Sequence, residues 1–287
     1  SLRAGRSSGL LVLASLLFAV MAVCAKEAAA HLPGAQVACM RFLLGAATVA
    51  VLAASGMIKL QAHYPWALLL RGTLGGGGVL LYFVAISHLP VGVATLLNNS
   101  SPLFVAMFSW LFLGEPLSWR TLFALVITSA GVVMVVFGNA PSVGGPALSL
   151  KWVLMGLGSA VFAGGAVTTM RAMRQREGAW EIFLALCVVG SVITGIPTAF
   201  EFVWPTRHDL LWVALTGMIS VGSQILLTYS LRYVPAVRAG LLMQLTPILT
   251  FILGALWLGE FPSILGWLGS VVTIGGVCWG MLSRRTS

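Results

Sequence analysis

HLPVGVATLLNNSSPLFVAMFSWLFLGEPLS at 88–118 and YVPAVRAGLLMQLTPILTFILGALWLGEFPS at 233–263 align without a gap when the chain is shifted by 145 residues. Pro90 falls on Pro235, Ala94 on Ala239, Leu96 and Leu97 on Leu241 and Leu242, Pro102 on Pro247, and Leu113-Gly114-Glu115 on Leu258-Gly259-Glu260. Farther upstream the likeness thins but persists, with Ser15 and Phe18 meeting Ser159 and Phe162 at a shift of 144. The whole first half is therefore one copy of a unit and the second half another. Outward from these segments, apolar runs bounded by Pro, Gly and charge fall at about 9–30, 35–54, 66–87, 91–112, 119–138, 150–170, 179–200, 209–230, 236–258 and 263–282. Each copy holds five of them. An odd number of crossings makes consecutive copies enter the membrane with opposite orientation, which generates a pseudo-two-fold axis in the membrane plane.

The length of these runs matches the roughly 20 residues a helix needs to cross the hydrocarbon layer. Of the 287 residues 59% are hydrophobic and 8% charged, and mean hydropathy is +1.01. A water-facing surface cannot be clothed with so little charge, which excludes a soluble enzyme or a nucleic-acid binder. Unpaired backbone groups are too costly in lipid for anything but helices or a closed barrel, and barrel strands would alternate in polarity where these runs do not. The expected fold is an all-α integral membrane protein with ten transmembrane helices arranged as two inverted-topology five-helix repeats: residues 1–138, a Gly/Pro/Ser-rich linker at 139–149, and residues 150–287.

A net charge of +9 and a pI near 10.1 would suit nucleic acid, but the basic residues stand singly at the ends of apolar runs. With the N-terminus inside, the inner segments collect Arg3, Arg6, Lys59, Arg71, Arg120, Arg171, Arg174, Arg176, Arg232, Arg238, Arg284 and Arg285, against Lys26, Lys151 and Arg207 outside. The positive-inside rule then places both termini in the cytoplasm, in a multi-pass protein of a bacterial-type inner membrane. The first run is too long for a signal-peptide core of about 7–15 residues and is expected to be retained. Cys24, Cys39, Cys187 and Cys278 lie inside apolar stretches without metal-ligand spacing, so neither a disulfide frame, a metal site nor a cofactor is expected.

The LGE turn after the fourth and ninth spans, the proline within each of those spans, the series Phe18, Lys26, Pro33, Arg41-Phe42 and the duplicated five-span unit together resemble the EamA branch of the drug/metabolite transporter superfamily. The resemblance covers essentially all ten spans, and its narrower likeness is to YddG-type aromatic amino-acid exporters. It implies an inner-membrane metabolite exporter.

The fourth span carries Thr95, Asn98, Asn99 and Pro102 on one helical face; its counterpart is Gly240, Met243, Gln244 and Pro247. Each proline removes a backbone donor, so the carbonyls of Asn98 and Met243 lose their helical partners near mid-bilayer. Discontinuous helices at matching places in two repeats point to a transporter's binding site; a kink satisfied by a neighbouring Ser or Thr is the other reading. The eighth span adds Ser220, Ser223, Gln224 and Thr228, which serve either a site or helix packing. Gly75 to Gly78 allow close packing or, less directly, gating, and Tyr82 stands on the Gly75 face. His88 and Trp110, with Tyr229 and Tyr233 behind them, read as interfacial aromatics or, given the resemblance, as rings that stack on the cargo and hold its ammonium. Of the charged residues within spans, Arg41 is expected to pair with Glu27, and Lys26 either snorkels or meets a substrate carboxylate. Glu115 and Glu260 are expected to cap the helices that follow them.

No Asp or Glu lies near the middle of any span, so the carboxylate relay of a proton-coupled pump has no owner. No GxxxxGK[ST], HExxH or GxSxG occurs, which argues against ATP hydrolysis or intramembrane catalysis. The expected function is facilitative export of amino acids, aromatic ones among them, by alternating access. The alternative is export of another small metabolite or drug, with proton coupling. The expected partners are a small-molecule substrate and the bilayer, with no nucleic acid; a monomer is compatible with the sequence.

Overall fold

The computed structural model describes residues 2–113, 119–138, 149–173, 176–230 and 242–283, with side chains described for most of them from residue 9 onward. The described residues are helical throughout, with no strand: α1 (Leu2–Ala28), α2 (Gly34–Ala54), α3 (Pro65–His88), α4 (Val91–Asn98), α5 (Ser101–Leu113), α6 (Trp119–Gly138), α7 (Leu150–Met173), α8 (Ala179–Phe200), α9 (Arg207–Ser230), α10 (Leu245–Leu258) and α11 (Ile264–Ser283). Stretches in α1, α2, α3, α7, α8 and α9 are each long and apolar enough to cross a bilayer unaided. Helix α3 opens on Pro65 at its first position, where the absent N–H costs nothing. Helix α9 opens on a reciprocal cap: Thr206 Oγ1 accepts the Asp209 amide at 3.2 Å and Asp209 Oδ2 accepts the Thr206 amide at 2.9 Å. The linker at 139–149 lies, apart from Ser149, outside the described residues.

The side-chain distribution is that of a protein solvated by lipid. Val51, Val126, Ile196, Leu256 and Ile264 are exposed, while Ser15, Gln36, Thr95, Thr194, Ser220, Ser223 and Gln244 are buried. Trp66, Trp119, Phe200, Trp204 and Phe261 stand exposed at helix ends, the positions of an interfacial aromatic belt.

Inversion of the repeat is visible in the seam between α6 and α11, the fifth and tenth spans. A Cβ on Gly276 would sit 2.5 Å from Thr128 Oγ1 and 2.8 Å from its amide nitrogen, and one on Gly131 would run into the same two atoms of Thr273. Gly131 and Gly276 are repeat equivalents, and so are Thr128 and Thr273, so the seam is self-complementary in the manner of an isologous interface. Toward the other end Gly138 meets Gly266 and Gly269 meets Val135. Positions rise along α6 as they fall along α11; equivalent helices therefore run antiparallel and the two copies enter the bilayer in opposite senses. Small residues let the backbones close up where no hydrophobic force drives helices together.

Helix α3 runs unbroken through Gly75–Gly78, and the run serves close approach on two sides. Gly72 and Gly76 face the backbone of α8 at Ala185 and Gly190, while Gly77 and Gly78 receive Phe162 of α7. Both first spans of the second copy are thus held against the third span of the first.

The seam yields a direct test. Gly276→Val should lower the melting temperature of the detergent-solubilised protein by several degrees, through overpacking of about 1–3 kcal/mol. Gly275→Val, next door but exposed with nothing within 4 Å of its Cβ position, should leave it within a degree. Equal shifts would show that the seam does not hold the halves together.

Candidate functional site

The fourth span is broken where the polar face begins. Helix α4 ends at Asn98, and Asn99 and Ser100 form a turn before α5 starts at Ser101. The Thr95 carbonyl receives both the Asn99 amide at 2.9 Å and the Asn99 side-chain nitrogen at 3.0 Å, and the Ser100 amide reaches the Leu97 carbonyl at 3.2 Å. Pro102 therefore stands in the first turn of α5, where a missing N–H is tolerated, rather than kinking a continuous helix. The helix is discontinuous as expected, but the break falls at Asn99–Ser100, ahead of the proline, and the other reading of a simple kink does not describe it.

The ninth span repeats the device. Leu242 and Met243 are helical, Gln244 is a turn residue and α10 starts at Leu245, with Pro247 buried in its first turn. The two breaks touch: Gln244 Nε2 donates to the carbonyl of Asn99, its own repeat equivalent, at 3.2 Å. A residue meets its equivalent only near the pseudo-two-fold axis, so that axis passes between the breaks. The Asn99 carbonyl, and not those of Asn98 or Met243 singled out from the prolines, takes the cross-repeat bond. Each break is also held by the first span of the opposite copy. Ser159 of α7 donates to Asn98 Oδ1 at 3.0 Å. Ser15 of α1, the counterpart of Ser159, reaches the Leu242 carbonyl at 3.1 Å and Met243 Sδ at 3.4 Å. Ser15 and Ser159 were matched by the repeat but missed as part of the site, although a hydroxyl conserved between copies inside an apolar run is itself a signal.

Beside the breaks, the Tyr82 hydroxyl and Thr95 Oγ1 lie 2.8 Å apart, both buried. The next side chains toward α9 are Phe83, whose ring centroid lies 5.4 Å from the Arg41 guanidinium carbon, and Arg41 itself, whose Nε donates to Ser220 Oγ at 2.6 Å. The expected Arg41–Glu27 pair is overturned. Glu27, near the end of α1, accepts the Trp257 indole N–H at 3.0 Å, while Arg41 is two turns into α2 and turned toward α9. Arg71, read from sequence as an inner-surface charge, is likewise buried, at 6% exposure, with its guanidinium folded back over Gly75. A charge six residues inside an apolar run was the available signal.

Lys26 and Glu260 form a fastener at one end of the molecule. Lys26 Nζ donates to the carbonyls of Ile86 and Leu89, each at 2.8 Å, satisfying the C-terminal end of α3. It also lies 3.7 Å from Glu260 Oε1. Glu260 Oε2 accepts the Val91 amide at 2.6 Å and so caps α4, which corrects the expectation that it would cap the helix after it. Gly259 turns left-handed with φ 67° and carries Glu260 back toward α4, which Gly254 lets approach by leaving room for Val91. Burial at this turn holds the Glu260 carboxyl above its usual range, against the pull of Lys26 and the Val91 amide. Lys26, with these acceptors, is a fastener and not a free cation. His88 joins this end rather than the breaks: it is exposed at the last position of α3, stacked on Trp152 with centroids 3.5 Å apart.

Gln224 is half-buried on α9, one turn beyond Ser220, and its carbonyl takes the Thr228 hydroxyl at 2.7 Å. Ser223 bonds back to the Ser220 carbonyl, so most of that polar stripe satisfies its own helix. Tyr229 is exposed. Trp110 lies in α5 with its side chain outside the described residues, as do Tyr233 and Glu115 altogether. Among the described residues no three His, Cys, Asp or Glu side chains cluster as metal ligands.

Residues 7–137 and 150–281 each match the EamA-like transporter family. The chain belongs to that family. It is 31% identical over 267 residues to the pseudopaline exporter of Pseudomonas aeruginosa, covering 92% of both chains. It is also 28% identical over 207 residues to human solute carrier family 35 member G1, covering 68% of this chain and 56% of that one. A crystal structure of 20% sequence identity superposes with a TM-score of 0.69 over 97% of this chain and 99% of the other, which shows the shared fold. The protein is a transporter of the drug/metabolite superfamily, built to move a small molecule across a bilayer.

Substitutions at the fastener separate its charge from its geometry. Glu260→Gln keeps an oxygen acceptor for Val91 and removes a half-buried charge, whereas Glu260→Ala leaves the first amide of α4 without a cap, at about 1 kcal/mol. The melting temperature should fall measurably more for Glu260→Ala than for Glu260→Gln. Equal falls in the two variants would mean that the ion pair with Lys26, and not the cap, is what matters.

Proposed function

We propose that this protein exports amino acids, aromatic ones among them, from the cytoplasm across an inner membrane by alternating access, with the cargo bound where the two helix breaks meet. The observation that carries the reading is the Gln244–Asn99 contact, which sets two interrupted helices from oppositely oriented copies at one place. A half-helix end leaves backbone groups that a cargo can bond, and two such ends related by inversion give it equivalent footholds toward either side. Tyr82 and Thr95 supply further polar contact, with Asn98 and Met243 at the breaks themselves. In this proposal both termini lie in the cytoplasm, a reading that the distribution of Lys and Arg supports.

Export is facilitative in this proposal. The described carboxylates Glu27, Glu177, Glu181, Glu201, Asp209 and Glu260 all stand at or near helix ends, and none is near mid-span. The likeness to a pseudopaline exporter supports a second reading, in which the cargo is a different small metabolite carried by the same site.

Purified protein in liposomes, tested with labelled phenylalanine, leucine and glutamate, should show saturable flux that is stimulated by unlabelled amino acid on the trans side. Collapsing an imposed pH gradient should leave that flux unchanged; strict dependence on the gradient would overturn the facilitative mechanism. Asn99→Ala and Gln244→Ala should each cut flux about tenfold, the scale of one buried hydrogen bond of about 1–1.5 kcal/mol, with elution from a sizing column unaltered. Undiminished flux in both would remove the breaks from the site.

A further inference from the structure

We propose that Arg41 and Arg71 form a paired guanidinium site that receives a carboxylate of the transported molecule, so that the cargo is an acidic metabolite. This rests on the second exporter reading above, in which a small metabolite other than a neutral amino acid is carried by the same site, and it names the class of that metabolite.

The two side chains reach one place from opposite helices. Arg41 lies one turn before Gly45 on α2, and a Cβ on Gly45 would stand 2.7 Å from Cys187 Sγ of α8. On α3 the Arg71 guanidinium lies over Gly75, whose Cβ position is 2.6 Å from Leu186 Cδ1, the residue before Cys187. Both guanidiniums thus converge on the Leu186–Cys187 level of α8. Gly75 is required here for a stated reason: any side chain would occupy the space of the Arg71 guanidinium.

Among the described residues no anion answers either charge. Arg41 is 2% exposed and Arg71 6%. Nη1 and Nη2 of Arg41, and Nε and Nη1 of Arg71, are buried without a hydrogen-bond partner. The neighbours that Arg41 meets are Ser220, Phe42 and Phe83, and Arg71 lies over Gly75; none of these is an anion. Among the described residues every carboxylate near an amide or cation is committed elsewhere: Glu27 to Trp257, Glu177 to the amides of His63 and Tyr64, Glu181 to that of Gln61, Asp209 to Thr206 and His31, and Glu260 to Val91 and Lys26. Two like charges buried side by side without counter-charge are strongly unfavourable unless an anion arrives to meet them. Guanidinium forks match the two oxygens of a carboxylate, and a pair of forks matches a molecule whose carboxylate or carboxylates outweigh its positive charge. Phe83, against Arg41, is the chain neighbour of Tyr82, whose hydroxyl meets Thr95 beside the breaks.

The test uses the full chain in detergent and in liposomes, with acetate, glutamate, citrate and inorganic phosphate as probes at constant ionic strength set by sodium chloride. A carboxylate should raise the melting temperature saturably. Arg41→Gln and Arg71→Gln should each weaken that response at least tenfold, with Arg→Lys at either position restoring part of it. In the absence of anion, Arg71→Gln should melt higher than the parent, since it removes an unanswered buried charge; an arginine with a structural role would make it melt lower, which would overturn the proposal. Stabilisation by phosphate and not by any carboxylate would overturn the carboxylate assignment, and responses equal in parent and Gln variants would overturn the site. Flux of labelled phenylalanine or leucine that persists in both Gln variants would sink the acidic-cargo proposal and leave the exporter standing, whereas absence of flux for every probe would remove the exporter reading first.

Discussion

Inside a lipid layer a backbone amide or carbonyl has no water to fall back on, so every interruption of a helix must be met by another part of the protein. Two interruptions at equivalent places are the central fact of this molecule. They are met by each other, through Gln244 and the Asn99 carbonyl, and by the serine of the opposite copy's first span. The halves cannot be considered apart: the weak point of each is completed by the other.

The same interdependence governs the ends. The α3–α4 corner of the first copy is closed by Lys26 from α1 and by Glu260 from the second copy. At the other end of α3, the His63 and Tyr64 amides are held by Glu177 of the second copy. Each carboxylate sits against backbone amides at a helix N-terminus, where the helix dipole favours negative charge. None of these acids is left to answer the arginines between α2, α3, α8 and α9.

Architecture was legible in the sequence because lipid imposes a coarse rule: run length reports a crossing, and a duplicated run with an odd number of crossings reports inversion. Breaks were legible as matched prolines in a matched polar face. Their exact place was not, because proline marks the first turn of the new half-helix while the preceding turn is chosen by Asn99 and Gln244. Pairings between helices were the least legible. Periodicity tells which residues share a face of α2, yet whether Arg41 meets Glu27 or Ser220 depends on which neighbour that face is turned to, and that is decided by glycines on α2, α3 and α8 letting certain backbones approach. Glu260 was misassigned for a similar reason: the left-handed Gly259 reverses the chain toward α4, and a turn's exit direction is not written in its polarity.

The seam of Thr128 and Gly131 against Thr273 and Gly276 has a consequence for how such a protein arises. Because each half carries both the small residue and the threonine that the other half needs, a solitary five-span unit already holds everything required to bind an upside-down twin. Joining two such units in one polypeptide fixes their stoichiometry and leaves each free to differ, as Asn98 and Met243 do, while the last spans keep matching faces.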